Sequence, residues 1–348
     1  MTARRVTLLF AIGIVIIALA AWISSRSQTG SDSVANTRVL PGLESSLNDV
    51  TRIRITKAGN VQATLDRRST DWLVGERGYP ADSGKLRKLL LDLGSLQAVE
   101  RKTSIARNYP VLGVEDVTQP KASGARIDLV TPGKTWSLIV GRSMDANDCY
   151  VRVVDSPQSL LASPIILVDA DPKLWLEPTI LDIAQTRVSE VAEQPAKGPG
   201  FNASRDKKTD ANFTVHGIPH GRELTGADAA NTMGSALSSL TLTDVRKATA
   251  APQGTGLSHA VFKTFDGLEI DVSGYKQGSN GYIDVSARAA DKSAAAEAQQ
   301  INSRVQGWDY EIPDYRYDEI FQSMDGLLKP LPAKKAHATP HAHPSKSK

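Results

Sequence analysis

One stretch of the chain, residues 71–96, carries a nearly complete signal for a strand, a turn and a capped helix. Trp72 and Val74 recur at the period of a β-strand, and Gly78–Pro80 then ends the extended run. Asp82 stands where a helix N-cap is expected. After it, leucines recur at helical spacing, at positions Leu86, Leu89, Leu90, Leu93 and Leu96. The stretch therefore predicts a strand followed by an amphipathic helix with one buried face.

A weaker copy of this pattern occupies residues 212–242. Thr225 and Asp228 form the S/T-x-x-D signal of a helix start. The apolar positions of the two helices match at a constant separation of 144 residues, with Ala230, Met233, Leu237 and Leu240 corresponding to Leu86, Leu89, Leu93 and Leu96. Around each predicted helix the order is strand, strand, helix, strand, strand, strand. We therefore predict an α+β fold of two tandem related units, each an antiparallel sheet plus a helix.

The other predicted elements flank turns with defined chemistry. The turn Thr131–Lys134 has proline and glycine at turn positions, and Asp266-Gly267 is a second such signal. Gly141 is predicted to end a strand. The apolar run Ile165–Val168 is short enough for a buried strand, and residues 315–328 have the spacing of a closing amphipathic helix. The remaining predicted strands are at residues 61–66, 71–76, 126–130, 135–140, 150–154, 201–205, 212–216, 260–265, 268–272 and 282–286.

The first apolar run, Val6–Ile23, contains no charged residue and would extend roughly 27 Å as a helix, close to the thickness of a bilayer core. Arg4 and Arg5 precede it, which favours an N-terminus in the cytoplasm and a body on the far side of the inner membrane. We therefore expect a single-pass anchor, one N-terminal transmembrane helix. A cleaved signal peptide is the alternative, because Ala18–Ala20 has the small-x-small pattern of a cleavage site.

Composition divides the chain further. The segment that follows the apolar run is rich in Ser, Thr, Gly and Asn, which predicts a linker. The C-terminus is rich in Pro, Ala, Lys and His and is predicted to be disordered. The expected organisation is an anchor, a linker, a first repeat, a second repeat and a basic tail, at residues 1–28, 29–46, 47–187, 188–328 and 329–348.

The net charge of +3 conceals an acidic body. The five lysines after Gly326 and the three arginines before residue 30 contribute +8, with no acidic residue among them. Residues 30–325 therefore have a net charge of −5. A body of this sign is a poor partner for nucleic acid. The single cysteine, Cys149, excludes an internal disulfide and a thiolate zinc cluster, and we expect it in or beside a strand.

No catalytic or cofactor motif is recognisable in the sequence: a nucleophile elbow, a phosphate loop and a dinucleotide fingerprint are all absent. His337, His341 and His343 lie among prolines, which preset no metal geometry, and glycines and a proline around His216 and His220 prevent the helix that would align them. Asp145, Asn147 and Asp148 resemble a calcium-loop fragment without its glycine and distal glutamate. The residues predict no catalytic, cofactor or metal site.

Several structural residues together resemble a bacterial family, domain of unknown function 4340, over about residues 48–328. They are Trp72, Tyr79–Asp82 with the helix to Leu96, Gly141, Tyr150–Arg152, Trp175 and Ile180–Val188. The resemblance implies a single-anchor envelope protein with an accessory role beside an ABC-type permease and a gliding-motility-type auxiliary protein. The second repeat departs from the pattern, with Phe213 in place of the tryptophan and Gly226 in place of Asp82.

The leading interpretation is a non-enzymatic, membrane-anchored accessory, scaffold or binding subunit of an ABC-type transport system. Its candidate binding surface comprises Trp72, Tyr79, Asp82 and Tyr150. One alternative is an envelope hydrolase acting on a wall polymer, with two carboxylates facing one cleft at about 5–9.5 Å. Its candidate acids are Asp145, Asp148, Asp169 and Asp171. A second alternative is a periplasmic solute-binding module, which needs a deep, partly apolar pocket between the repeats.

Overall fold

Strands dominate both halves of the chain in the computed structural model, which describes residues 35–253 and 255–331. Every strand pairing within these residues is antiparallel, and the helices are few and mostly short. The expected α+β class is therefore confirmed. Two units divide between Glu177 and Pro178, ten residues before the repeat boundary inferred from the sequence.

The first unit contains a single ten-stranded sheet in its described part, with the order β1-β6-β10-β9-β8-β7-β2-β3-β4-β5. Its strands are β1 Thr37–Arg38, β2 Arg52–Lys57, β3 Val61–Arg68, β4 Asp71–Val74, β5 Tyr79–Pro80, β6 Gln97–Arg101, β7 Ala125–Val130, β8 Thr135–Ser143, β9 Cys149–Val153 and β10 Ser159–Ser163. Its α-helices are α1 Leu43–Ser46, α2 Ser83–Ser95 and α3 Tyr109–Leu112. Short 3-10 turns at Leu47–Asp49, Ala58–Asn60, Ala106–Asn108 and Pro172–Trp175 complete it.

One face of this sheet is apolar, because side chains alternate along each strand. Ile53 of β2 lies opposite Leu129 of β7, and Ile55 lies opposite Ile127; all four are fully buried. Leu86, Leu89 and Leu93 of α2 are buried as well, as the leucine spacing predicts. Burying a side chain of this size contributes about 1.5–3 kcal/mol, so these rows form the core of the unit.

The second unit is built mainly on an eight-stranded sheet with the order β14-β13-β12-β17-β18-β19-β20-β16; a small second sheet pairs β11 with β15. Its strands are β11 Thr179–Leu181, β12 Val188–Gln194, β13 Phe201–Ser204, β14 Thr214–His216, β15 Leu240–Thr241, β16 Asp244–Lys247, β17 Ser258–Thr264, β18 Leu268–Gln277, β19 Asn280–Ala289 and β20 Trp308–Ile312. Its α-helices are α4 Asn231–Ser235, α5 Ala295–Val305, α6 Asp314–Ile320 and α7 Met324–Leu327, and 3-10 turns lie at Gln185–Arg187 and Lys292–Ala294.

Eight strands of the first sheet follow the same order as those of the second. The run β4-β3-β2-β7-β8-β9-β10-β6 corresponds strand by strand to β14-β13-β12-β17-β18-β19-β20-β16. The correspondence includes one arginine in each sheet. The backbone nitrogen of Arg67 donates to the Thr51 carbonyl, and at the equivalent place the backbone nitrogen of Arg205 donates to the Ser189 carbonyl. Both guanidinium groups then donate to a carbonyl of the 3-10 turn that precedes β2 or β12, Arg67 to Asn48 and Arg205 to Gln185.

The main difference between the predicted and the observed fold is at residues 225–242, where one continuous helix was expected. Only Asn231–Ser235 is α-helical, and Thr225 does not cap it; its hydroxyl donates to the Leu327 carbonyl. The region is rich in glycine, serine and threonine, which favour helices weakly, so tertiary contacts decide its path. Gly234 shows how closely these contacts fit, because a Cβ there would lie 2.4 Å from the Phe213 ring. The apolar positions matched across the repeats are nevertheless all buried.

Three further predictions are corrected. Ile165–Val168 is not a strand but an irregular segment, and the closing helix at 315–328 is interrupted, because residues 321–323 separate α6 from α7. Tyr79 and Pro80 do not simply end an extended run; they form β5, which pairs with β4 after a turn. The hairpins at 61–76 and 126–140 are confirmed.

No helix among the described residues is long and apolar enough to cross a membrane. The anchor predicted at Val6–Ile23, the first six residues of the linker (29–34), and the tail from residue 332, including His337, His341 and His343, lie outside the described residues.

Candidate functional site

Three of the four residues expected at a binding surface form a structural junction at the start of α2. The Asp82 carboxylate caps the helix by accepting from the Lys85 backbone nitrogen at 2.9 Å. The backbone nitrogen of Asp82 donates to the Trp175 carbonyl at 2.8 Å, and that of Ala81 donates to the Trp72 carbonyl at 2.8 Å. Tyr79 is buried and Trp72 is half-buried. These residues fix where α2 begins.

Tyr150, the fourth residue, lies on β9, five strand positions from β4 in the sheet order. At about 4.8 Å per strand this separates it from Trp72 by roughly 24 Å. It packs against a small cluster of Tyr109, Val114 and Ile139. The structure therefore does not bring the four residues onto one surface.

The junction at Asp82 continues into a chain of polar contacts that reaches β2. The Trp175 indole nitrogen donates to the Asp169 carbonyl at 2.8 Å, and the Asp169 carboxylate pairs with Lys57 Nζ at 3.0 Å. Partial burial alone would raise the pKa of Asp169, but hydrogen bonds from Lys57 and from the Asp171 backbone lower it overall. An ionised Asp169 thus holds the irregular segment before Trp175 in place.

This fixed segment forms one wall of a cleft of about 870 Å³, a size typical of small-molecule sites. Helix α2 supplies the opposite wall, and the adjoining ends of β7 and β8 supply the end wall. The floor is apolar and buried, formed by Leu89, Ala125, Val140, Ile166 and Trp175. At the entrance, the side chains of Leu167 and Leu174 are 71% and 50% exposed. The cleft therefore offers an apolar path from the surface to the core.

The rim of the cleft carries four cationic side chains and two carboxylates: Lys57, Lys85, Lys88 and Arg142 against Asp92 and Asp169. Lys88 pairs with Asp92 at 2.7 Å, and Lys57 pairs with Asp169. Lys85 Nζ donates to the Leu174 carbonyl at 3.0 Å and lies 3.8 Å from the Asp82 carboxylate. Arg142 makes no ion pair within the described residues. The two carboxylates are thus engaged by lysines, and positive charge remains at the rim.

Two glycines give the end wall its shape. A Cβ at Gly141 would lie 2.3 Å from the Leu112 carbonyl oxygen, and one at Gly124 would lie 2.1 Å from that of Gly113. Only glycine allows the loop after α3 to approach the sheet this closely. Gly141 does not end its strand as expected, since β8 continues to Ser143.

A second groove, of about 860 Å³, lies at another edge of the first unit and is lined largely by turn residues. Its cations are occupied: Arg67 donates to the Asn48 carbonyl, and Lys134 Nζ lies 4.5 Å from the Trp136 ring centroid. It offers little apolar wall, so the cleft beside α2 is the stronger candidate site.

Two of the four acids considered for hydrolysis, Asp145 and Asp171, are engaged in their own loops, and Asp169 pairs with Lys57 as described. Asp145 accepts from the backbone nitrogens of Asn147 and Asp148 at 2.7 and 2.9 Å. Asp171 caps a 3-10 turn by accepting from the Lys173 nitrogen at 3.0 Å. Among the residues that the structure describes, no group of three or more histidine, cysteine or acidic side chains could hold a metal ion.

Sequence reasoning found part of this cleft and missed the rest. The leucine spacing predicts the buried side of α2 and therefore also places Lys85 and Lys88 on its polar side. The apolar run Ile165–Val168 predicts a buried strand, but in the structure Ile166 is buried and Leu167 is exposed to solvent. No local pattern marks Lys57 or Arg142, which the sheet brings to the rim from distant positions.

The profile of one protein family, described as domain of unknown function (DUF4340), matches residues 72–259. The matched region includes every residue that lines the cleft except Lys57. Comparison with curated proteins and with solved structures finds no match. Since the matched region is more than half of the 348 residues, the chain belongs to the domain of unknown function (DUF4340) family.

Proposed function

We propose that this protein is a membrane-anchored, extracytoplasmic binding subunit of an ABC-type transport system, without catalysis of its own. The observation that carries the proposal is the cleft of the first unit, an apolar pocket with a cationic rim inside the region matched by the family. The accessory role beside a permease and a gliding-motility-type auxiliary protein follows from the family resemblance, and the energy for transport would come from the transporter's own ATPase.

The same cleft supports binding better than hydrolysis. A hydrolytic cleft needs two carboxylates that face the substrate at about 5–9.5 Å. Asp92 and Asp169 line this cleft, but each is paired with a lysine, and Asp169 also accepts from the Asp171 nitrogen. A solute-binding module that acts without a transporter is the second candidate, and the cleft is compatible with it.

Co-purification from the native host tests the proposed role. The full chain is captured from detergent-solubilised membranes beside a control in which a cleavable signal peptide replaces residues 1–26, so that both bodies are exported. Recovery of a permease and its ATPase with the full chain supports the proposal. If neither chain recovers transporter subunits, the accessory role is wrong and the free solute-binding module becomes the better candidate.

Chemical labelling tests the extracytoplasmic location independently. Cys149 is 1% exposed, and burial raises the pKa of its thiol, so the natural chain is an unlabelled background. A K121C variant adds a thiol on an exposed loop. We expect a membrane-impermeant maleimide to label K121C in intact spheroplasts. Labelling only after lysis would place the body in the cytoplasm.

A further inference from the structure

We propose that the cleft beside α2 binds an anionic amphiphile: a molecule with one acyl chain and a carboxylate or phosphate headgroup. The assignment rests on the proposed binding function, since it names the chemistry that the site accepts. The cleft has two parts that differ in polarity, an apolar floor and a charged rim.

The floor fits the acyl chain. Leu89, Val140 and Ile166 are each less than 5% exposed yet line the cavity, so a chain entering between α2 and the irregular segment reaches the edge of the core. Leu167 and Leu174 give this path an apolar entrance. Covering these two leucines removes apolar surface from water, which is favourable. A sugar or another polar solute would leave these walls without matching contacts.

The rim fits the headgroup. Three of its four cations, the lysines, have a carboxylate partner, whereas Arg142 has none within the described residues. The planar guanidinium presents paired donors that match a carboxylate or phosphate. Lys85 stands on α2 at the same rim, where its weak pairing with Asp82 at 3.8 Å leaves it able to support the headgroup while Arg142 makes the main contact. An amphiphile inserted tail-first therefore leaves its charge beside these two cations.

The charge of the rest of the chain argues against an extended polyanion. Residues 30–325 carry a net charge of −5, so the body as a whole repels a large anion even though this rim is locally positive. A headgroup with one or two negative charges fits this local excess, whereas a long acidic polymer would meet repulsion beyond it.

Photolabelling tests the proposal on the full chain, reconstituted in nanodiscs of phosphatidylcholine. The probe is dodecanoate with a diazirine near the end of the chain, and labelled residues are mapped by mass spectrometry. We expect labels on peptides that contain Leu89, Ile166 or Leu174. Excess dodecanoate or lysophosphatidylglycerol should remove the labels, and the better competitor identifies the headgroup. Dodecanol, which lacks the charge, should compete at least tenfold less well.

Two pairs of variants separate binding from general damage. L167D places a charge at the entrance and should abolish labelling, whereas V111D, at a residue with 70% exposure outside the cleft, should not. R142Q should weaken dodecanoate competition about threefold to tenfold, whereas R54Q should leave it unchanged, since Arg54 is an exposed arginine outside the cleft.

The proposal is overturned if labels spread over the surface, if L167D and V111D behave alike, or if dodecanol competes as well as dodecanoate. These outcomes differ from a failure of the transport role. A chain that recovers permease and ATPase but binds no dodecanoate refutes only the ligand, and one that binds dodecanoate without recovering a transporter refutes only the partner.

Discussion

Replacing Glu193 by glutamine should stabilise the second unit at neutral pH. Glu193 lies on β12 opposite Phe201 and Ala260, and its side chain is 3% exposed. Neither of its carboxyl oxygens has a hydrogen-bond partner within the described residues. Burial raises the pKa of this carboxyl from 4.5 to about 9, so the folded protein keeps it protonated at neutral pH.

The sign and size of the expected change in the free energy of unfolding follow from proton binding. Between pH 4.5 and about 9 the folded state holds a proton that the unfolded state has lost, so the free energy of unfolding falls as pH rises. The slope is about 1.4 kcal/mol per pH unit, which amounts to about 3 kcal/mol between pH 4.5 and pH 7. E193Q removes this dependence. Its amide also needs partners in the same site, so we expect a net gain of about 1–3 kcal/mol at pH 7.

Urea unfolding of the full chain, followed by hydrogen exchange of peptides from the second unit, measures the effect at each pH. At pH 4.5 E193Q should be neutral or destabilising by up to about 2 kcal/mol, because only the cost of the amide remains, and its stability relative to the natural chain should rise toward pH 8. E190Q is the matched control on the same strand: Glu190 pairs with Lys263 at 3.3 Å, and losing this pair should cost less than about 1 kcal/mol. A gain for E193Q that is the same at every pH, or a loss at pH 7, would refute the reasoning.

Three further substitutions test individual contacts. D82A removes the cap of α2 and should cost about 1 kcal/mol, seen as faster hydrogen exchange at residues 83–88, with D82N as the retained-cap control. G141A forces a Cβ against the Leu112 carbonyl and should cost about 1–3 kcal/mol in urea unfolding of the first unit; an unchanged midpoint would show that the loop yields freely. R205M removes the donor to Gln185 and the cation 4.5 Å from the Phe213 ring, and should destabilise the second unit by about 1–3 kcal/mol, whereas R288M on its surface should not.

The elements predicted well are those in which several local signals agree. In α2 the cap at Asp82, the leucine spacing and the preceding turn all indicate one helix, and the helix begins at the next residue. The hairpin through Thr131–Lys134 was fixed in the same way by its proline and glycine.

The elements missed depend on distant contacts. β6 and β16 are polar strands that their pairing with β10 and β20 stabilises, and nothing in their own sequences indicates this. Helix α5 has only a weak apolar period. Its position against β19 is fixed by the Asn302 side-chain amide, which accepts from the Ala287 backbone nitrogen and donates to the Ala287 carbonyl. The cleft follows the same rule: residues on α2 were visible locally, whereas Lys57 and Arg142 reach the rim only through the register of the sheet.

The shared strand order of the two sheets also creates a hazard during folding. β2 must find β7 across residues 58–124, and β12 must find β17 across residues 195–257, so both central pairings close long loops and form late. A chain with two copies of one topology can exchange these partners. Exchange would place Ile53 opposite Phe262 and Val191 opposite Leu129, overfilling one core and underfilling the other. Divergence between the two halves thus favours correct pairing over mispairing.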